Sequence, residues 1–171
     1  LNLYKYDTKR NLSYSLNSNG TLQNDAVIME RTISSGVQTS TPVNADGILR
    51  LHINGSINKD FKEKTRQFTL GASFFININR NIVSVNSIRS YLRTFQVSPS
   101  LNARINLNDK FELGERYSIA YNQSTYDDSF YRDINFYNHT SETELIVRLP
   151  KKMVWETTYR IQHSTQTVNG F

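Results

Sequence analysis

The chain has no cysteine, which excludes a disulfide framework and thiol chemistry. It has no run of about 18 apolar residues, so no transmembrane helix is read from it. It starts at Leu1 rather than Met and carries no signal-peptide pattern. For an exported protein, the expectation is a mature portion or a cut piece. His52, His139 and His163 stand far apart in sequence and lack metal-ligand spacing. Each reads as a strand residue on a wet or interfacial face. No catalytic constellation and no cofactor motif stands out, so the reading is a non-enzyme. The formal charge is +5, but Lys and Arg are scattered through strand faces and turns (Lys62, Lys64, Lys110, Lys151, Lys152) rather than gathered in one basic stripe. Nucleic acid is therefore not an expected partner. Mean hydropathy is −0.54. That value does not exclude a membrane, because a β-barrel shows only every second residue to lipid.

What the chain does have is alternation. From Phe95 to Leu107 the odd positions are Phe, Val, Pro, Leu, Ala, Ile and Leu, and the even ones are all polar or charged. Side chains alternate faces along a strand, so this arm has one apolar and one polar face. Asn108, Asp109 and Lys110 form a tight turn. The second arm carries Phe111, Leu113, Tyr117, Ile119 and Tyr121 on one face. Both arms exceed the roughly 9–11 residues that a tilted strand needs to cross a bilayer, against a mean globular strand of about 5–6. The hairpin of residues 95–121 thus predicts a transmembrane pair.

The same pattern recurs along the chain. A strand end at residues 3–6 and a turn at 7–10 precede a strand at 11–22. Residues 23–46 are long and mixed, with strand extensions expected around 26–33. Strands follow at 47–57, 66–78, 137–149 and 153–163. The connections at 7–10, 58–65, 108–110 and 150–152 read as short, and those at 23–46, 79–89 and 123–136 as long. Short periplasmic turns and long extracellular loops are the topology of outer-membrane barrels. Phe61, Phe68, Phe111 and Trp155 lie by the short turns. Tyr91, Phe95, Tyr121 and Tyr159 are placed towards the long loops, giving two interfacial aromatic girdles. The polar face should look into a lumen through Arg50, His52, Asn102, Arg104, Arg116, Glu156 and Arg160. The apolar face should meet lipid through Leu51, Ile53, Leu101, Ile105, Trp155, Tyr159 and Ile161.

Three local features stand out. Tyr126, Asp127, Asp128, Phe130, Tyr131 and Asp133 cluster in one loop. Loop carboxylates can hold calcium and aromatics can stack on a ligand, though a solvated loop has the same composition. Glu115 interrupts the apolar face of its strand, and either the short-turn interface or a bulge at Gly114 would accommodate it. Pro99 should weaken pairing locally.

Three stretches carry a family resemblance: NLSYSL (11–16), VSPSLNARINLNDKFEL (97–113) and YSIAYN (117–122). They resemble the outer-membrane β-barrel domain of TonB-dependent receptors from the Bacteroidetes. That resemblance implies part of a large barrel of about 22 strands with a plugged lumen, working in energised nutrient uptake across the outer membrane. It also implies a plug domain and a TonB-type energiser as partners. Neither a plug nor a TonB box occurs in these residues, and Phe171 is preceded at alternate positions by Asn169, Thr167, Thr165 and His163, not the apolar residues of a barrel-assembly signal. The expectation is an all-β, antiparallel, up-and-down transmembrane barrel segment of about eight long strands. Residues 1–171 would form this one segment of a larger outer-membrane transport barrel, in contact with outer-membrane lipid and an unknown small ligand. The alternatives are a soluble β-rich adhesin or carbohydrate-binding module, and a complete small eight-stranded outer-membrane barrel.

Overall fold

In the computed structural model the described residues are 1–128 and 131–168, with side chains described to residue 165. Ten strands run in order: β1 (Asn2–Asp7), β2 (Leu12–Gln23), β3 (Ala26–Ser34), β4 (Val37–Ala45), β5 (Ile48–Glu63), β6 (Arg66–Val85), β7 (Ile88–Leu107), β8 (Phe111–Tyr126), β9 (Ile134–Arg148) and β10 (Val154–Val168). Eight form one antiparallel path, β1-β2-β5-β6-β7-β8-β9-β10, and β3 with β4 lies off it. The sheet is open: β1 and β10 are its two edges and do not pair with each other. A closed eight-stranded barrel is therefore not what this chain forms.

The turns explain the up-and-down order. Asn108 and Asp109 both have φ 54°, and Asn86 and Ser87 have φ 50° and 65°. Two successive left-handed residues make a turn whose twist matches that of the flanking strands. Asn and Asp reach that region most cheaply among residues with a Cβ.

The second of these turns corrects the expected loop at 79–89. Here β6 and β7 continue as a ladder to Val85 and Ile88. The expected loop at 23–46 is also largely strand, because β3 and β4 pair along their whole length. Residues 58–63 belong to β5, so the turn there narrows to Lys64 and Thr65. The loop at 123–136 shortens at both ends, because β8 runs to Tyr126 and β9 begins at Ile134. Among the described residues the strands thus number ten rather than about eight. The regular alternation of short and long connections holds only in part.

The β3–β4 hairpin has a clear structural task. The β5–β6 ladder ends at Leu49 and Arg80, leaving the far end of β6 without a neighbour on that side. There β3 docks in parallel, with Glu30 opposite Ser84 and Arg31 opposite Val85. The Asn86 amide donates to the Arg31 carbonyl at 2.8 Å, and Asn86 Oδ1 accepts from the Ile33 amide at 2.7 Å. Covering an exposed strand edge in this way removes a template for aggregation. The buried residues Ala26, Ala45, Ile48, Ser84 and Ser90 gather at this end. Arg80 closes the cluster by donating from Nε to the Gly47 carbonyl at 2.8 Å, its guanidinium lying over the Tyr91 ring.

Elsewhere the sheet is a single layer, and among the described residues nothing packs on its apolar face. Leu101 is 64% exposed and Tyr159 66%. Phe74 folds its ring over Gly55 on the neighbouring strand, where an added Cβ would sit 2.6 Å from the ring edge. The glycine makes room for the aromatic to lie flat on the strand. The ladder between β7 and β8 is interrupted at Ser98 and Pro99, where proline has no amide to donate.

Candidate functional site

Register assigns every side chain to a face and to a level. Leu51, Ile53, Leu101, Ile105, Trp155, Tyr159 and Ile161 share one face. Arg50, His52, Asn102, Arg104, Arg116, Glu156 and Arg160 share the other. The polar face is built in rows that cross the sheet. One row is almost entirely hydroxyl: Ser15, Ser56, Ser73, Ser100, Ser118 and Thr140 are successive cross-strand partners. Ser15 and Ser56 are hydrogen-bonded at 2.8 Å, and Ser73 and Ser100 at 2.6 Å.

Towards the short turns the rows become charged. Arg104 pairs with Glu112 and, at 2.6 Å, with Glu144. Arg148 reaches the other oxygen of Glu112 at 3.4 Å, and Arg160 pairs with Glu142. Opposite charges thus meet between strands, Arg104 reaching past β8 to Glu144 on β9, so this wall is polar without a strong net field. Gly71 sits where the side chains of Asn58 and Asn102 converge, and a Cβ there would overlap both amides.

Towards the other end lie Asn17, Asn54, Asn19, Asn77 and Gln96, with Phe75 among them and Phe136 farther along the row of Gln96 and Asn122. The Phe75 ring lies 6.4 Å from that of His52, nearly parallel. Between the hydroxyl row and Phe75 is a depression of about 390 Å³, bordered also by Asn54 and Arg116. That volume falls within the roughly 300–1,000 Å³ of small-ligand sites. Such a surface can exchange hydrogen bonds with a polar solute, and Phe75 gives it one apolar contact.

The sequence-predicted loop is arranged differently. Asp127 pairs with Arg93 at 3.0 Å, and Asp133 accepts the Tyr126 amide at 3.0 Å. The Asp128 amide donates to Ser90 Oγ at 3.1 Å. Tyr126 and Tyr131 stack with centroids 4.8 Å apart. Phe130 lies outside the described residues, as do Phe171 and Asn169 and the side chain of Thr167. The loop folds onto β7, and Asp127 and Asp133 turn to separate partners rather than towards one centre. Among the described residues no group of three or more His, Asp or Glu is placed to hold a metal ion.

One of the two alternatives for Glu115 falls away, and two other expectations need correcting. Glu115 is not re-aimed by a bulge, since the register runs unbroken through Gly114. It stays on the apolar face, where Ser141, at 2.7 Å, and Thr143 donate hydroxyls to its carboxylate. His139 and His163 are direct cross-strand partners on that same face, and Tyr117 bonds His139 Nδ1 at 2.9 Å. Over β9 and β10 the apolar face therefore contains a polar sector. Tyr159 lies level with Ala103 and Glu115, in the half of the sheet nearer the short turns. Tyr91, Phe95 and Tyr121 do lie towards the loop end, and Tyr137 takes the place expected of Tyr159, with Phe95, Tyr121 and Tyr137 in successive ring contact.

The hydroxyl row escapes a reading of single strands because level depends on pairing. One arithmetic signal was present: Ser100 and Ser118 are equidistant from Asp109, so a turn centred there makes them partners. No protein-family model, curated protein or solved structure matches the chain.

Proposed function

We propose that the chain is a segment of an outer-membrane transport barrel, similar in kind to the barrels of TonB-dependent receptors. Its polar face would line a hydrated path for a small polar ligand, and its apolar face would meet outer-membrane lipid. The observation that carries this reading is the single-layer sheet. Its six longest strands have 15 to 20 residues, and its apolar face is left open while its polar face is tied together by hydrogen bonds and ion pairs. A soluble sandwich buries its apolar face under a second layer, and an exposed apolar patch of this extent marks an interaction surface. Lipid is the partner that fits an apolar band bounded by aromatics at both ends, interrupted only by the polar sector on β9 and β10. The plug and the energiser come with the resemblance. The polar lining supports transport, since its hydroxyls and amides would substitute for the ligand's water and its paired charges would avoid trapping it.

Two measurements test the reading. Single-cysteine fluorophores at positions 51, 101 and 161 should be quenched by a lipid-phase quencher in the membrane-embedded protein. Those at 50, 102 and 160 should not, and equal quenching of both sets refutes the assignment of faces. For topology, a tag inserted beside Asp128 should be accessible on intact cells and one at Asp109 inaccessible. Reversed labelling overturns the orientation.

A further inference from the structure

The four short turns lie at one end of the sheet and are stitched together. The Asp60 amide donates to the Asn11 carbonyl at 3.0 Å, Asn108 to Thr65 at 2.7 Å, and Arg148 to Lys110 at 2.7 Å. The turns therefore form a continuous rim. Charge is distributed very unevenly with respect to it. Segments 7–10, 59–66, 108–110 and 148–152 hold ten of the 20 Lys and Arg residues but only four of the 15 Asp and Glu. At the opposite end, segments 25–46, 80–93 and 127–133 hold five basic and six acidic residues. The remaining strand positions carry equal numbers of each sign. The whole net charge of +5 is thus accounted for by an excess of six positive charges on the rim and one negative at the far end.

These rim charges are available. Lys9, Lys62, Lys64, Lys110, Lys151 and Lys152 are exposed, and among the described residues none has an ion-pair partner. Lys59 marks the level of the rim independently. It belongs to the apolar face, between Leu12 and Leu70. Its stem passes the Phe61 ring, with the ammonium 5.6 Å from the centroid, and its head bonds the Arg10 carbonyl in the first turn. A lysine that lays its stem along apolar surface and lifts its charge to the boundary is snorkelling. The aromatic pair Phe61 and Phe68 sits at the same boundary, with centroids 6.0 Å apart.

We propose that the short-turn rim is a docking surface for the anionic headgroups of membrane phospholipids. The inference rests on the transport-barrel reading, because only a sheet inserted by its apolar face brings the rim level with headgroups. Phosphate is the favoured occupant because the rim offers unpaired ammonium groups directly beside the apolar band, where a lipid's acyl chains and its charged head meet two adjoining surfaces at once. An acidic soluble protein would need only the charge and not the adjoining band.

Trp155, the only tryptophan, lies on the apolar face close to Lys151 and Lys152 and reports on this boundary. The chain is inserted into phosphatidylcholine bilayers containing a fixed fraction of acyl-brominated lipid, either phosphatidylglycerol or phosphatidylcholine. Edges that pair between copies in this setting leave each rim unchanged. Brominated phosphatidylglycerol should quench Trp155 more strongly, and the difference should shrink between about 0.1 and about 1 M salt as screening shortens. Lys151→Gln with Lys152→Gln should abolish the preference, each lysine being worth up to about fivefold in lipid association. The Lys→Arg pair should keep it. Equal quenching by both lipids overturns the proposal while leaving insertion intact. Binding of soluble polyglutamate to the inserted protein, without bias between lipids, assigns the rim to an acidic partner and also overturns it. Absence of quenching by either lipid refutes the membrane reading itself.

Discussion

Refolded alone in detergent micelles, the chain is expected not to give a monomeric barrel. Its sheet ends in two edges that do not meet. The strand β10 is paired along all 15 of its residues on one side, with β9, and on that side only. On its other side about every second residue points an amide and a carbonyl outward, as antiparallel geometry requires. Each such group left unbonded in hydrocarbon costs several kcal/mol, so the edge as a whole is prohibitive. At the other edge β1 covers β2 only as far as Asn17, with one further bond pair at Ser18. The cheapest escape is pairing between copies, which gives oligomers or aggregates. Joined to the further strands of a complete barrel, the same residues should fold cooperatively. Sedimentation in density-matched micelles distinguishes these outcomes. A heat-modifiable monomer with sharply dispersed amide resonances would show that the edges close on each other, which restores the small complete barrel.

The second large effect is expected from charge placed on the apolar face. Leu101 stands six residues above Leu107 on β7. At about 3.3 Å per residue and a tilt near 40°, that is roughly 15 Å from the short-turn boundary, close to the middle of an apolar band about 25–30 Å tall. Leu101→Arg should therefore destabilise the membrane-inserted protein by about 2–4 kcal/mol, which is roughly 30- to 1,000-fold in the folding equilibrium. Thr158→Arg, on the polar face opposite Glu144, should stay within about 0.5 kcal/mol of the parent. Denaturant titrations in lipid vesicles measure both. If water rather than lipid bathes Leu101, which is 64% exposed, its substitution is a surface change with little effect. Equal, small shifts for the two variants would then refute lipid contact and favour the soluble module.

Where the sequence reading fell short, the cause was pairing. Residues 79–89 look like a loop because Arg80, Asn81 and Ser84 break the apolar alternation. They are strand because the opposite arm, Ile88 to Arg93, is there to receive their backbone bonds, and β3 covers part of the other side. The polar residues are tolerated because this part of the sheet extends beyond the apolar band. Pro42 and Asn44 are residue types that break strands, yet both lie in β4, which pairs with β3 alone. An edge strand can hold a proline whose missing amide faces away from its partner. Isolated in the sequence, His139 and His163 become neighbours because the turn at Pro150–Lys152 sets the β9–β10 register.

The sequence by itself determined how side chains divide between the two faces of a strand, His139 and His163 excepted. The twofold alternation of a strand is a property of the backbone, so Leu101 and Asn102 part company whatever lies beside them. It also determined where the tightest turns fall, since Asn108 and Asp109 accept left-handed conformations locally. Only the tertiary structure decided level and closure. The hydroxyl row from Ser15 to Thr140, the Arg104 pairs with Glu112 and Glu144, and the stitched basic rim each depend on registers between strands far apart in the chain. That the sheet stays open depends on β1 and β10, the two strands farthest apart in sequence. Register and closure are sums over many long-range backbone pairings, and no local pattern carries such a sum.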